Sequence, residues 1–355
     1  MLYTKSDNYD KFKCIADKCP KTCCQGWQIV IDEDTLERYK NEKGSLSENL
    51  SLNVDWDNKI FKEIDGHCGM LRDDGLCMLQ YELGEEALCR TCAMYPRHIE
   101  EYEDVREYSL SLSCPEAARI IIENKNKLGF IDWEDALAEE DDEEFEEFDH
   151  FLYSLLLSVR EKAYEIAQNR ELCFEDKMAY LGGMAILVQE CVDDDRLFDI
   201  EEVISRYDLS DTAVISDEAQ ICEGFSDKRA FSVMFELEQL SPEWINVVDT
   251  TWKNWEKAFE IKEAELILNL SKDEEIIAEQ ILMFFLYTYL CGAVYDDFIH
   301  TKIMLAIYSV YWIFIIYRTN TFKGGIIEAA YLYAREVEHS DENIIALEEW
   351  FDSLI

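Results

Sequence analysis

The sequence predicts a mainly α protein in two parts: a small cysteine-rich, metal-binding amino-terminal module with little β structure, then an acidic all-helical domain. Three observations carry that prediction. Cys14, Cys19, Cys23, Cys24, Cys68, Cys77, Cys89, Cys92 and Cys114 crowd the first third of the 355 residues, and only Cys173, Cys191, Cys222 and Cys291 follow. Pro20, Pro96 and Pro115 lie near those cysteines, and Pro242 alone interrupts the remainder, which leaves long stretches free to be helical. Charge divides the same way. Residues 1–120 hold 15 Lys/Arg against 24 Asp/Glu, a net of −9, whereas residues 121–355 hold 18 against 53, a net of −35. The expected domains are residues 1–128 as the metal-binding module, 129–149 as an acidic linker and 150–355 as the helical domain.

In the module, Gln28–Ile31 reads as a short strand, followed by a helix capped by Asp34 and running to Tyr39 or Lys40. A polar loop to Asn53 comes next, then a turn-rich stretch punctuated by Gly66, Gly69 and Gly75. A helix over Glu85–Met94 is stopped by Pro96, and Glu116–Leu128 has the period of an exit helix. From Asp132 to Asp149 there are 12 carboxylates in 18 positions, the pattern of a solvated linker. Downstream, helices are expected over 150–168, 174–192, 196–206, 228–240, 243–260, 273–294, 300–318, 324–338 and 342–354, with no segment alternating strongly enough for a sheet.

Ile281–Tyr295 and Ile303–Tyr317 are the most apolar runs, each about fifteen residues, whereas a membrane span needs roughly 18–20. Asp296, Asp297, His300 and Lys302 break them, so a buried helical hairpin is expected and no membrane partner. The overall net charge of −44 repels phosphate, which argues against nucleic-acid binding and against anionic lipid. The first residues, Met1 to Asn8, hold no apolar run fit for a signal peptide, and a cytoplasmic location is expected. Thiols stay reduced there, so clustered cysteines read as metal ligands or reactive thiols before disulfides.

The leading motif, Cys14-x4-Cys19-x3-Cys23-Cys24-Gln-Gly-Trp27, sets four thiols in eleven residues. Clustered thiolates repel one another, and a bound cation or iron–sulfur cluster offsets that repulsion. Cys68, Cys77, Cys89, Cys92 and Cys114 bring the local total above the four that one centre takes. With His67 and His98 the only histidines nearby, the donor set is almost pure thiolate, which suits iron–sulfur or a four-cysteine zinc site. The isolated Cys173, Cys191, Cys222 and Cys291 read as small buried apolar residues. A radical-initiating C-x3-C-x2-C cluster needs a cysteine at position 26, which is glycine, and no glycine-rich turn follows a strand as a dinucleotide or S-adenosylmethionine fingerprint requires. Composition and spacing thus lead as far as a thiolate-bound metal module joined to an acidic helical domain.

Motif order carries the reading further. Phe12-Lys-Cys14-Ile, Cys19-x3-Cys23-Cys24-Gln-Gly-Trp27, Cys68-Gly-Met-Leu71, Gly75-Leu-Cys77, Thr91-Cys92-Ala-Met-Tyr95-Pro96-Arg97 and Leu110-Ser-Leu-Ser-Cys114-Pro resemble the flagellin lysine-N-methylase family. More distantly, they resemble cysteine-rich zinc- or iron-chelating proteins. The likeness is specific across about residues 12–120 and softer beyond, chiefly at Phe284–Tyr308.

The resemblance implies a protein-lysine N-methyltransferase that carries methyl from S-adenosylmethionine to surface lysines of flagellin and holds a 4Fe-4S cluster, with zinc as the alternative metal. The implied metal ligands are Cys14, Cys19, Cys23, Cys24, Cys68, Cys77, Cys92 and Cys114, and Cys89 departs from the motif. The competing readings are a non-catalytic zinc- or iron-chelating protein and an iron–sulfur redox protein. Methylating lysine asks for aromatic walls to hold cationic groups and carboxylates to attract the amine. Trp27, Tyr81, Tyr95, Tyr287, Tyr289, Tyr295, Asp296 and Asp297 are candidates of the right type, none assigned to a role. The acidic body offers a field that steers lysine-bearing substrate inward.

Overall fold

The computed structural model describes residues 1–135, 148–207, 228–262 and 265–354. Helices dominate, as predicted, but the first surprise is a four-stranded sheet. Strands β1 (Leu2–Ser6), β2 (Arg97–Tyr102), β3 (Val105–Leu110) and β4 (Phe130–Glu134) lie in the order β2-β3-β1-β4. Strands β2 and β3 form an antiparallel hairpin, β1 runs parallel to β3, and β4 closes the far edge antiparallel to β1. The sheet exceeds the single strand expected at Gln28–Ile31, where only an isolated bridge from Val30 to Ile60 forms.

Its central strand β3 was hidden because several of its buried positions are polar. In β3, Arg106, Glu107 and Ser109 are buried, and Arg160 grips the Glu107 carboxylate with two hydrogen bonds of 2.6 Å. A buried, bidentate ion pair takes the place of the apolar alternation that sequence reading looks for.

In the module, helix α1 (Glu33–Asn41) is capped by Asp32, whose carboxylate accepts from the Thr35 amide, so the cap lies two residues before the expected Asp34. Helix α2 (Ser47–Asn53) occupies the expected polar loop and buries Leu50. Helix α3 spans Met78–Leu83. The expected Glu85–Met94 helix is instead a short 3-10 turn at Glu85–Ala87 and helix α4 (Arg90–Met94), separated by extended Leu88 and Cys89. Ile29, Leu36, Leu50, Phe61, Met70 and Leu79 belong to a small apolar core of their own.

Exit helix α5 (Pro115–Ile122) is shorter than expected, and the sheet and α5 pack with the helical body in one large core. The expected linker begins with β4, and residues 136–147 lie outside the described residues. The body continues through α6 (His150–Ala167), α7 (Phe174–Asp193), α8 (Ile200–Ser205), α9 (Pro242–Asn254), α10 (Lys272–Tyr289), α11 (Ile299–Thr319), α12 (Ile326–Glu338) and α13 (Asp341–Asp352). The helix expected at 228–240 is a 3-10 segment, Ala230–Phe235. Ser271 and Glu274 form a reciprocal capping box at the start of α10, worth about 1 kcal/mol.

Lys272–Val294 and Ile299–Thr319 are long and apolar enough to cross a membrane, yet 78% and 100% of their apolar windows are buried by the rest of the chain. They form the expected central hairpin. His300 and Lys302 do not interrupt it, because α11 runs through them, and Lys302 is neutralised by Asp296 at 2.7 Å and Glu348 at 2.6 Å. Among the isolated cysteines, Cys191 and Cys291 are buried as expected. Cys173 is exposed, because it stands outside the first turn of α7 as its cap, and Cys222 lies outside the described residues.

Candidate functional site

The cysteine motif is folded by its own backbone and then clamped by the body. Gly26 takes φ +83°, a left-handed value that side-chain-bearing residues rarely adopt, which turns the chain after Cys23-Cys24. The Trp27 indole N–H donates to the Cys23 carbonyl at 2.7 Å, and the Cys68 amide donates to the Cys24 carbonyl at 2.8 Å. From α12, the Arg335 guanidinium donates to the Thr22, Lys21 and Ser113 carbonyls at 2.9, 3.4 and 3.1 Å. One side chain of the helical body therefore ties both ends of the thiol cluster.

Within that frame the thiols meet in two groups. Cys24 donates to both Cys23 and Cys77, and the donated hydrogen bonds bring Cys23 down to about 7 and Cys77 down to about 6, while the Cys24 thiol holds its own proton far more tightly. Cys92 donates to Cys89, lowering Cys89 in the same way. Burial pushes Cys68 up to about 12, with the charges of Cys77, Cys89 and Cys23 adding to it. Burial also raises Cys114 to about 11, where Cys19 and Cys23 contribute, and Cys19 in turn feels Cys14 and Cys23. Cys23 is thus the hub of the cluster. Cys89, outside the motif set, is fully buried beside Cys92.

This donor set fits a soft metal by its chemistry: thiols crowd together, Cys23 and Cys77 are drawn toward the thiolate, and Arg335 is the cation beside Cys23. Among the described residues, no three His, Cys, Asp or Glu side chains are arranged to hold a single ion.

Beside the cluster opens a cleft of about 420 Å³, within the roughly 300–1,000 Å³ common for small-molecule sites. The module contributes Trp27 and Tyr95, the sheet His98 and Ser109, α10 Thr288 and Tyr289, and the end of α12 Glu338 with its cap His339. Trp27, Tyr95 and His339 form an aromatic cluster with ring centroids 5.3–6.1 Å apart. A chain of hydrogen bonds crosses the wall. Tyr95 and His339 each meet the Ser113 hydroxyl at 3.0 Å, Ser113 meets Ser111 at 2.5 Å, and Ser111 donates to Glu338 Oε2 at 2.5 Å.

Two titrating groups here are displaced in opposite senses. Burial pushes the Glu338 carboxyl up to about 7, against the pull of the Ser111 hydrogen bond, the His98 charge and the Tyr289 phenol. Burial, reinforced by the Arg335 charge, pushes His339 down to about 3 and keeps it neutral. Glu338 Oε1, Ser109 Oγ and Thr288 Oγ1 are buried without a hydrogen-bond partner.

The cleft collects Trp27, Tyr95 and Tyr289 from the sequence candidates and leaves out the others. Tyr81 is exposed beneath the Arg72 guanidinium at 3.7 Å, and Tyr287 is buried with its hydroxyl between the Thr4 and Tyr108 carbonyls. Tyr295 donates to the Glu101 carbonyl at 2.6 Å, Asp296 pairs with Lys302, and Asp297 sits in a left-handed turn at φ +62°. Sequence reading missed Ser109, Ser111, Ser113, Thr288, Glu338 and His339. A signal for the serines existed in the period-two alternation of Ser109-Leu-Ser-Leu-Ser113, although β3 ends at Leu110 and a turn, not a strand, carries Ser113 back to Ser111.

Comparison with known proteins gives the family of the chain. Residues 160–354 match the family model for the FliB lysine N-methylase C-terminal domain. A 126-residue stretch is 32% identical to the flagellar biosynthetic protein FliU of Salmonella muenchen, covering 33% of this chain and 75% of that protein. The lysine-N-methylase of Salmonella typhimurium is 30% identical over 127 residues, 33% of this chain and 32% of its own length. The lysine-N-methylase of Salmonella choleraesuis is 30% identical over 126 residues, and the match covers 33% of this chain and 31% of that protein. The aligned stretch thus spans about a third of the two lysine-N-methylases. No solved structure matches.

Proposed function

Because the chain belongs to the FliB lysine N-methylase family, we propose that it transfers methyl from S-adenosylmethionine to surface lysines of flagellin and that its cysteine motif holds a 4Fe-4S cluster. The match over residues 160–354 carries the lysine-methylating part of this reading, and the cluster rests on the spacing and chemistry of the cysteine motif outside that match. The flagellar name of one relative supports a flagellar substrate, and we place the work in the cytoplasm, where clustered thiols stay available as metal ligands. A non-catalytic chelator or redox carrier is not favoured, since the matched family is one of lysine N-methylases.

In the transfer, the lysine Nζ lone pair attacks the sulfonium methyl. A C–N bond forms, the C–S bond breaks with its electron pair returning to sulfur, and S-adenosylhomocysteine leaves. The enzyme must therefore strip a proton from the ammonium and hold two cationic partners in line. Trp27 and Tyr95 offer π faces to sulfonium and methylammonium groups, which is the reason to place the transfer at the cleft.

The motif cysteines, with Cys23 at the hub, would hold the metal. Such a cluster supplies redox change or an open Lewis-acid iron when bound. A physical need supports a metal here: the small core around Leu50 and Phe61 is confined to a short stretch of chain, and its cysteines form no disulfide, so a bound metal is a natural staple. Lys21, Thr22 and Ser113, held by Arg335, fix the loop around it.

The test is anaerobic purification, counting of iron, zinc and sulfide, then mass analysis of flagellin after incubation with S-adenosylmethionine. Methyl gain on lysine and about four irons with matching sulfide are expected; four cysteines with one zinc would replace the cluster by the alternative metal. No methyl gain with the metal centre intact would sink the transferase reading.

A further inference from the structure

Resting on the lysine-methylating reading above, we infer that the cleft between the cysteine motif and α12 seats the target primary amine, with Glu338 as the group that takes its proton. A lysine ammonium presents three N–H donors and no acceptor. Ser109 Oγ, Thr288 Oγ1 and Glu338 Oε1 are three oxygens without partners, all buried and all on this one cleft. Ser109 and Thr288 are each only 4% exposed. Buried polar atoms are met by a partner in nearly every native structure, so three orphans around one cavity mark the place of a missing donor-rich group. A sulfonium centre has no N–H, so S-adenosylmethionine meets that need only through its α-ammonium, which the displacement arm of the test separates from the lysine amine.

The same wall shows why Glu338 acts on the amine. Its Oε2 is fixed by Ser111, which is held by Ser113, in turn held by Tyr95 and His339, while Oε1 is buried without a hydrogen-bond partner on the side of the cleft where the Tyr289 phenol lowers the carboxyl. The charged and titratable groups facing it are His98, which pairs with Glu100 at 2.5 Å on β2, Tyr289 on α10, and His339 and Asp341 beside its own helix end. Arg97, at the start of β2, stacks its guanidinium over Phe12 and Tyr9 at 5.3 and 5.9 Å. His339 is too weak a base to compete, because burial and Arg335 oppose its protonation. The step balances simply: an Nζ–H bond breaks, an O–H bond forms on Glu338 Oε1, and the freed lone pair is the nucleophile. The proton leaves to solvent after the methylated amine departs.

The test measures n-butylamine binding by calorimetry at pH 8 on metal-loaded wild type, Glu338→Gln and Thr288→Val, alongside the pH dependence of flagellin methylation. Wild type should bind the amine, and each variant should bind about tenfold or more weakly. Methylation by wild type should rise with pH through the Glu338 titration near 7, whereas Glu338→Gln should lose about 10²-fold in kcat and rise only toward the free lysine range, about 10.4. Thr288→Val guards against a folding defect in the other variant. Butylamine binding that neither substitution weakens, or that S-adenosylmethionine displaces one for one, would overturn the assignment, as would an unshifted pH profile in Glu338→Gln. If no lysine is methylated but butylamine binding still depends on Glu338 and Thr288, the amine site stands and the transferase reading falls.

Discussion

The small core around the cysteines and the large core of the helical body solve the same problem by different means. In the body, α11 buries 19 of its 21 residues, and α10 and α11 lie against one another as its centre. Burial of this extent is self-sufficient, at about 1.5–3 kcal/mol for each large apolar side chain. Around the cysteines, helices are short, strands come in two-residue pairs, and the apolar core is small, with Cys89 buried in it and Cys68, Cys77 and Cys92 packed against it. Such a region draws order from what its polar atoms bind. Catalytic chemistry belongs where the two meet, since the cleft needs a rigid wall from one and polar atoms from both.

Metal removal offers the largest expected contrast. Anaerobic chelation should abolish hydrogen-exchange protection across residues 14–92 while α10 and α11 keep theirs. Equal loss in both would show that the cores are not separable. Next in size, Glu107→Ala leaves Arg160 buried without its carboxylate and should cost about 3–5 kcal/mol in denaturant unfolding, a body defect with metal content unchanged. Arg335→Lys keeps the charge but loses the fork that spans Thr22 and Ser113. It should cost about 1–3 kcal/mol and open the chain near residues 14–24 to proteolysis, with α10 and α11 still protected.

The smallest effect concerns pH, and its sign is a competition. Glu336 and Glu338 are raised to about 7 by burial, so the stability each gives is complete below the unfolded carboxyl value and is lost as pH rises toward 7. His300 and His339 are lowered to about 4 and about 3 by burial, so the stability each gives is complete above the unfolded imidazole value and is lost as pH falls through 6.5 toward 4. The two pairs oppose each other between about 4.5 and 6.5, and wild-type stability should be nearly flat there. Glu336→Gln, which keeps an acceptor for Ser241, should unmask a rise with pH of at most about 1.4 kcal/mol per unit. An unchanged slope would mean that Glu336 is ionised throughout.

Local pattern made much of this protein legible. The apolar period of α10 and α11 announced a buried hairpin, and the spacing of Cys14, Cys19, Cys23 and Cys24 announced a thiol cluster. These features repeat within one or two turns of chain, where sequence neighbours are also spatial neighbours. The sheet was hidden because Arg106 and Glu107 fill buried positions: Glu107 is satisfied by Arg160, 53 residues beyond it, and Arg106 by the Glu103 and Val105 carbonyls and the Glu101 carboxylate. Helix propensity around Cys89 and Cys92 was real, yet extended Leu88 and Cys89 divide it.

The cleft was decided by tertiary structure alone. Trp27, Ser109, Thr288 and Glu338 lie far apart in sequence, and no periodicity links them. That an oxygen lacks a partner is a property of everything packed around it, so the atoms assigned to the amine became visible only in the folded chain. The sequence by itself determined that the long downstream segments are mostly helical, that thiols gather in the first third of the chain and that the body is strongly acidic. Packing determined where a lysine side chain fits, because a site built from several elements exists only once their buried faces have met.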